Sequence, residues 1–205
     1  MKKLFLVLGA LLQTICSIGQ ENITAQYIQN PSFELDVPKS TDAVNNTADG
    51  LRGYTLAIPS GWSVVGTNVT QLLVSKDCFT DNNFGKVTTI PDGKYAYYLR
   101  QGWSTGSTTL KQSVTLPAGV YEFSVSLRSA YANSATSVIN LIASSESKSY
   151  SFNAGSNECF KNMVWQTASV TFKLNTETKV DLGFNITWQS GGSCIMLDNV
   201  KLIKL

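Results

Sequence analysis

An alternation of apolar and polar residues with a period of two is the strongest constraint on how this chain folds. In residues 180–188, every second position holds a large apolar side chain, with Asp, Gly, Asn or Thr in between. Residues 170–174 and 123–128 repeat the pattern. Because successive side chains of a β-strand point to opposite faces, the pattern predicts strands with one buried and one solvated face. The predicted core side chains of the first run are Val180, Leu182, Phe184 and Ile186.

Turn-forming residues separate the apolar runs and indicate the fold class. Pro117-Ala118-Gly119 lies between residues 110–116 and 120–128, which predicts a hairpin. Three runs near the end of the chain are expected to pair as antiparallel neighbours: residues 164–174, 179–188 and 194–204. Beyond the first 19 residues, no stretch combines helical periodicity with helix caps. The sequence therefore predicts an all-β protein, either a two-sheet antiparallel β-sandwich or a barrel.

The first 19 residues have the features of a secretory signal peptide. Two lysines precede an apolar stretch over residues 4–12, and Ser17-Ile18-Gly19 supplies small residues for cleavage. The apolar stretch is shorter than the roughly 20 residues that a membrane-spanning helix needs. A buried first helix is the alternative. We expect residues 1–19 to be a signal peptide, residues 20–205 to form a single domain, and the protein to be secreted.

The charge balance of the chain argues against nucleic acid as a partner. The chain has 16 Lys and Arg against 14 Asp and Glu, and loss of two lysines with the leader makes these numbers equal. No basic run of the kind that follows phosphates is present, so nucleic acid is not an expected partner.

The cysteines predict one disulfide and one thiol. Cys16 lies in the leader, which leaves three cysteines in an exported chain. Cys78 and Cys159 lie in polar, loop-like stretches and are the expected pair, although spacing leaves the connectivity open. Cys194 opens an apolar run and is expected to be a buried thiol.

Five short motifs, in order along the chain, carry a resemblance to a known family. They are Asn30-Pro31-Ser32-Phe33-Glu34, Pro59-Ser60-Gly61-Trp62, Leu110-Lys111-Gln112-Ser113-Val114, Pro117-Ala118-Gly119-Val120-Tyr121-Glu122-Phe123-Ser124 and Met196-Leu197-Asp198-Asn199-Val200-Lys201-Leu202. Together they resemble the galactose-binding-like jelly-roll domains, most closely the carbohydrate-binding modules of the family 4, 9 and 22 type. The resemblance covers essentially the whole chain after the leader, and it implies two stacked antiparallel sheets with adjacent termini. Insertions at residues 37–55 and 78–92 depart from the family pattern.

The resemblance also implies a structural calcium ion where the first and last strands meet. The matching positions are Glu34, after Phe33, and Asp198, before Asn199. A hard cation suits carboxylates and backbone carbonyl oxygens, so calcium is the expected metal. The alternative is that Glu34 and Asp198 only accept hydrogen bonds at strand ends.

The composition argues against catalysis. The chain has no histidine, which removes Ser-His-Asp and Cys-His arrangements and the commonest metal ligand. A pair of carboxylates remains as the alternative, since such a pair can hydrolyse glycosidic bonds. No acidic residue lies in a motif typical of an acid/base pair, so we expect a protein that is not an enzyme.

Aromatic residues are the candidates for ligand contact, because flat rings stack on sugar rings. Trp62, Trp165 and Trp188 lie in motifs or strand phases that predict packing in the core. Trp103 differs, since glycine, serine and threonine surround it. Trp103 is therefore the best candidate for an exposed stacking platform, and Tyr98 and Tyr131 are further candidates.

Polar residues near these rings complete the predicted site. Arg100, Gln101, Arg128 and Asn185 lie in the polar phase of strands or at strand ends. Each either contacts ligand or belongs to an ordinary solvated strand face. The sequence thus predicts an exported, non-catalytic domain that binds a glycan or polysaccharide. The alternatives are a structural or adhesive domain that binds another protein, and a glycoside hydrolase with a carboxylate pair.

Overall fold

Strands dominate the fold, which we describe from a computed structural model. The structure describes residues 19–36, 44–46, 52–56, 58–67, 69–76, 89–101, 104–129, 137–152, 164–189 and 194–205. The elements are β1 (Glu21–Asn22), α1 (Thr24–Tyr27), a 3-10 turn (Glu34–Asp36), β2 (Val44–Asn46), β3 (Arg52–Thr55), β4 (Ser63–Gly66), β5 (Thr70–Val74), β6 (Ala96–Arg100), β7 (Gly106–Leu116), β8 (Gly119–Ser129), β9 (Ser137–Ala143), β10 (Glu146–Phe152), β11 (Gln166–Leu174), β12 (Thr178–Trp188) and β13 (Cys194–Lys204). Within these described ranges, no helix has the length and apolar character that crossing a bilayer requires.

The strands form two antiparallel sheets. The large sheet has the order β11-β8-β13-β6-β5-β3-β2, with β1 paired to β13, and the small sheet has the order β10-β9-β12-β7-β4. The predicted two-sheet antiparallel β-sandwich is confirmed. Glu21 pairs with Lys204 and Asn22 with Ile203, so the first and last strands are neighbours, as the family resemblance implies.

The core lies between the two sheets and is rich in aromatic rings. Val180 is 4% exposed, and Leu182, Phe184 and Ile186 are completely buried, which confirms the core predicted for this run. Phe184 stacks on Trp62, which directly precedes β4, and on Phe123 of the large sheet, at centroid distances of 5.8 and 5.6 Å. These contacts join the sheets, since β12 and β8 belong to opposite layers.

The hairpin predicted around Pro117-Ala118-Gly119 is wrong. β7 pairs with β12 and β4 in the small sheet, whereas β8 pairs with β11 and β13 in the large sheet. The turn therefore crosses from one layer to the other. Tyr121 fixes the crossing, because its hydroxyl donates to the carbonyl of Pro117 at 2.7 Å. Both strands bury their apolar faces by facing each other across the core instead of pairing edge to edge.

The predicted run of three neighbouring strands at the end of the chain is also wrong. β11 and β13 lie in the large sheet with β8 between them, and β12 lies in the small sheet. Each strand buries one apolar face, which explains the alternation. Consecutive strands are placed in alternate layers, so the chain order does not give the pairing.

Candidate functional site

One end of the sandwich, which we call the loop end, gathers strand termini from both sheets. Five connections leave from it: those between β4 and β5, β6 and β7, β8 and β9, β10 and β11, and β12 and β13. We call the strand residues next to these connections their anchors. The register places several anchors side by side, since Arg100 pairs with Thr70 and Cys194, and Ile195 pairs with Ser129. A loop end of this kind can carry a binding site on a rigid scaffold.

The topology brings the anchors of two predicted ligand residues to the loop end. Trp103 and Tyr131 lie outside the described residues, but Trp103 follows Arg100 by three positions and Tyr131 follows Ser129 by two. β6 and β8 flank β13, and neighbouring strands are about 4.8 Å apart, so these anchors lie about 10 Å from each other.

Tyr98 and Arg128 lie on the outer face of the large sheet, where a second apolar cluster is buried. Its members are Leu72, Val74, Ala96, Tyr98, Cys194 and Met196. Cys194 is a completely buried thiol, as predicted, and its Sγ accepts from the Tyr98 hydroxyl at 3.3 Å; Cys78 and Cys159 lie outside the described residues. Arg128 lies with its guanidinium 6.0 Å from the Trp165 ring centroid, and its Nε donates to the carbonyl of Ser129 at 2.9 Å.

These side chains are more buried than the side chains of a solvated strand face would be. Tyr98 is completely buried and Arg128 is 2% exposed, so neither meets solvent. Gln101 is 7% exposed, and Arg100 is half-buried. β8 is buried on both faces over residues 123–129, which is why a residue in its polar phase lies inside. Of these four, Arg100 is the side chain with surface to offer a ligand at the loop end.

Asn185 lies apart from the other predicted ligand residues, on the outer face of the small sheet. Its Nδ2 donates to Ser107 Oγ at 2.9 Å and to Thr109 Oγ1 at 2.8 Å. Lys111 and Asp181 form an ion pair of 2.5 Å on the same strand pair. Hydrogen bonds from Lys111 and Ser113 lower the pKa of Asp181. The structure therefore places Asn185 in a surface network on the small sheet, three positions before the end of β12.

Glu34 and Asp198, the predicted calcium ligands, both accept hydrogen bonds from the main chain of one turn, residues 92–95. Glu34 Oε1 accepts from the main-chain N–H groups of Lys94 and Tyr95, both at 2.7 Å. Asp198 Oδ2 accepts from Asp92 N at 2.8 Å, and its Oδ1 accepts from Asn199 N at 2.7 Å. The hydrogen bonds of the alternative interpretation are thus present, and the two carboxylates converge on residues 92–95.

The pKa of Asp198 and the acidic residues around it bear on whether a cation could bind there. The pKa of Asp198 is raised to about 8, chiefly by burial; its two N–H donors act to lower it, and the nearby charges of Asp92 and Glu34 add to the rise. Among the described residues, no group of three or more His, Cys, Asp or Glu side chains is placed to hold a metal. A calcium ion would therefore depend on backbone carbonyls as well as carboxylates.

Sequence reasoning missed Asp92 and Asn199, which the Asp198 carboxylate holds through their main-chain N–H groups. A signal was present in the strand itself. The alternation of β13 breaks at Asp198 and Asn199, where the register with β8 shifts and Asn199 has a φ of 52°. Bulges of this kind are common beside functional sites.

Comparisons with known proteins agree with the fold. No protein-family model matches the sequence, and no curated protein matches it significantly. Among solved structures, the chain is similar to TmCBM61 in complex with β-1,4-galactotriose, with a TM-score of 0.55 and 18% identity over 87% of this chain and 98% of that one. It is also similar to the CBM22-1 xylan-binding domain of Paenibacillus barcinonensis Xyn10C, with a TM-score of 0.43 and 11% identity over 82% of this chain and 97% of that one. The chain thus has the β-sandwich fold of a carbohydrate-binding module.

Proposed function

We propose that this protein is an exported, non-catalytic module that binds a glycan at the loop end. In this proposal, Trp103 supplies the ring that stacks on the sugar, and Arg100 and Gln101 lie at the end of β6, which leads to it. Tyr131 follows Ser129, the last residue of β8. The observation that carries the proposal is that the strand ends leading to Trp103 and Tyr131 meet at one end of a sandwich that is similar to TmCBM61 over 87% of this chain. That relative was solved with β-1,4-galactotriose, which supports a glycan as the ligand class.

The chemistry of the loop end supports recognition of a hydroxyl-rich ligand. The connection after β6 keeps Ser104 and Thr105 exposed, and the Arg100 guanidinium can pair with two oxygens in one plane. Tyr98 and Arg128 are buried beneath the outer face, so in this proposal they position the strands without touching ligand.

The two alternative functions have less support. The large apolar side chains that are most exposed among the described residues are Leu35, Ile58, Val65 and Val164. A few exposed apolar side chains are ordinary on a protein surface and do not by themselves indicate a partner-binding site. Asp198 has the raised pKa of a general acid but is completely buried, so its carboxyl does not reach a substrate.

A glycan array probed with residues 20–205 tests the proposed function. We expect binding to one group of related glycans, with free oligosaccharide of the same sequence competing for it. Absence of binding to every glycan on an array that includes plant, bacterial and animal polysaccharides would contradict the proposal.

We also propose that Glu34 and Asp198 hold a calcium ion, with backbone carbonyls completing its shell. A bound cation would offset the desolvation and charge repulsion that raise the pKa of Asp198. It would also tie the turn at residues 92–95 to β13, where the termini meet.

Calcium is expected to raise the melting temperature and a chelator to lower it, because a ligand that binds only the folded state stabilises that state. The measurement is differential scanning calorimetry of the wild type and of Glu34→Gln, with calcium and with EDTA. Asp36→Asn is the matched control, since Asp36 lies two positions away and bonds Asn30 and Ser60 instead. An identical melting temperature of the wild type in calcium and in EDTA would rule the site out.

A further inference from the structure

The cavity beside the β13 bulge offers a second binding surface, away from the loop end. It has a volume of about 340 Å³, and its polar rim consists of Asn22, Asp92, Asn199 and Lys201. Pro31 and Ala25 form its apolar wall. The cavity opens where β13 has no strand on one edge: β6 pairs with β13 only over residues 194–197, and β1 pairs only with residues 203 and 204.

Separate hydrogen bonds to β13 fix the walls of this cavity. The completely buried Asp198 accepts from Asp92 N on one side and Asn199 N on the other. Val200 N donates to the carbonyl of Pro31 at 2.9 Å. Thr24 Oγ1 accepts from Leu202 N at 2.8 Å, which anchors the helix that carries Ala25.

The backbone at the rim is held in a sparsely populated conformation. Asn199 has a φ of 52°, in the left-handed region that non-glycine residues seldom occupy. Two hydrogen bonds hold it there: its main-chain N–H donates to Asp198 Oδ1 at 2.7 Å, and its Nδ2 lies 3.5 Å from Ser126 Oγ. A cavity with this many fixed walls is preorganised, which lowers the entropic cost of binding.

The charges of the rim select the class of ligand. Asp92 and Lys201 carry opposite charges, so a charged ligand would meet one like charge, whereas a neutral ligand with both donors and acceptors meets none. Two amides and a carboxylate suit hydroxyl groups, and the apolar wall suits the C–H face of a sugar ring. The volume is near the lower end of the roughly 300–1,000 Å³ range of ligand sites, which favours one sugar unit over a chain.

We infer that this cavity binds a single neutral sugar residue, either a free monosaccharide or the end of a glycan. The inference rests on the proposed function for its ligand class, but it uses a different site. Binding here would give the module a second, independent contact with a glycan surface and thus an avidity gain.

Amide NMR of the isotope-labelled protein tests this site directly. Galactose, glucose, mannose, xylose and N-acetylglucosamine are the probes, each titrated separately. At least one is expected to cause saturable shifts at the amides of Ala25, Asp92, Asn199 and Lys201. The variant Ala25→Trp fills the exposed mouth and should weaken that binding by at least about tenfold. Gln26→Trp is the matched control, because Gln26 is also exposed on α1 but does not line the cavity.

A second variant distinguishes a true loss of the binding site from a folding defect in Ala25→Trp. Asp92→Ala removes the rim carboxylate while its main chain can still donate to Asp198, and it should also weaken binding. Saturable shifts that disappear in Ala25→Trp and persist in Gln26→Trp support the site. No saturable shift with any of the five sugars, or binding that survives both Ala25→Trp and Asp92→Ala, overturns it.

Failure at this site is distinguishable from failure at the loop end. Oligosaccharide binding that Trp103→Ala removes and Ala25→Trp leaves intact would support the loop end alone. Monosaccharide binding that Ala25→Trp removes and Trp103→Ala leaves intact would support the cavity alone.

Discussion

Replacing Phe184 with alanine is expected to lower the free energy of unfolding by about 3–5 kcal/mol, as truncation of a buried phenylalanine does. Phe184 is completely buried and stacks on both Trp62 and Phe123, so its ring joins the two sheets. The loss combines removed apolar burial with an unfilled cavity between the layers. Urea denaturation, monitored by tryptophan fluorescence and circular dichroism, gives the value.

Leu35→Ala is the matched control for Phe184→Ala. Leu35 is 71% exposed, so its truncation should change stability by less than about 0.5 kcal/mol. A Phe184→Ala protein with wild-type stability would contradict the described core.

The second large effect is a loss of stability with rising pH that originates at Asp198. Its pKa is about 8 in the folded protein, against 3.8 for an ordinary aspartate. The folded state therefore holds a proton that the unfolded state has released between these two values. Stability should fall as the pH rises from about 4 to about 8 and then level off. Each unit of pKa shift corresponds to about 1.4 kcal/mol, so the change amounts to several kcal/mol.

The measurement is the free energy of unfolding from pH 4 to 9 in EDTA, for the wild type and for Asp198→Asn. The variant has no titrating group at this position, so the difference between the two proteins isolates the contribution of Asp198. Asp181→Asn is the control, because the pKa of Asp181 is lowered and its contribution is lost only at acidic pH. Equal slopes for the wild type and Asp198→Asn would show that this carboxyl is not desolvated. Under the calcium proposal, excess calcium should remove the slope, since the cation favours the ionised form.

The sequence was sufficient to predict the fold class and much of the core, but not the strand pairing. In β12, the alternation identified Phe184 and its neighbours as buried, because a strand with one apolar face must cover that face. The same alternation does not say which layer a strand joins. Pro117-Ala118-Gly119 therefore fitted a hairpin equally well, although the turn crosses the sandwich.

The sequence predicted residues whose strand ends meet at one end of the sandwich, but it did not predict how far the described side chains among them are exposed. Arg100 and the anchors of Trp103 and Tyr131 do meet at one end, because their strands flank β13. Tyr98 and Arg128 are buried because a second apolar cluster covers the outer face of the large sheet. A polar or aromatic residue in the outward phase of a strand is solvated only if no other element covers that face. Whether the face is covered depends on contacts between residues that are distant in sequence.

The central claim is that the loop end binds a glycan through Trp103. The most direct measurement is isothermal titration calorimetry of the wild type, Trp103→Ala and Thr105→Ala with the oligosaccharide that the array identifies, together with the melting temperature of each protein. Thr105 is an exposed residue of the same connection, so it controls for a general change in that segment. We expect Trp103→Ala to lose at least about tenfold in affinity, as truncation of an aromatic hot-spot residue does, with an unchanged melting temperature. Thr105→Ala should bind nearly as the wild type does. Unchanged affinity of Trp103→Ala would show that the glycan site lies elsewhere. A melting temperature that falls with the substitution would show that Trp103 packs against the core.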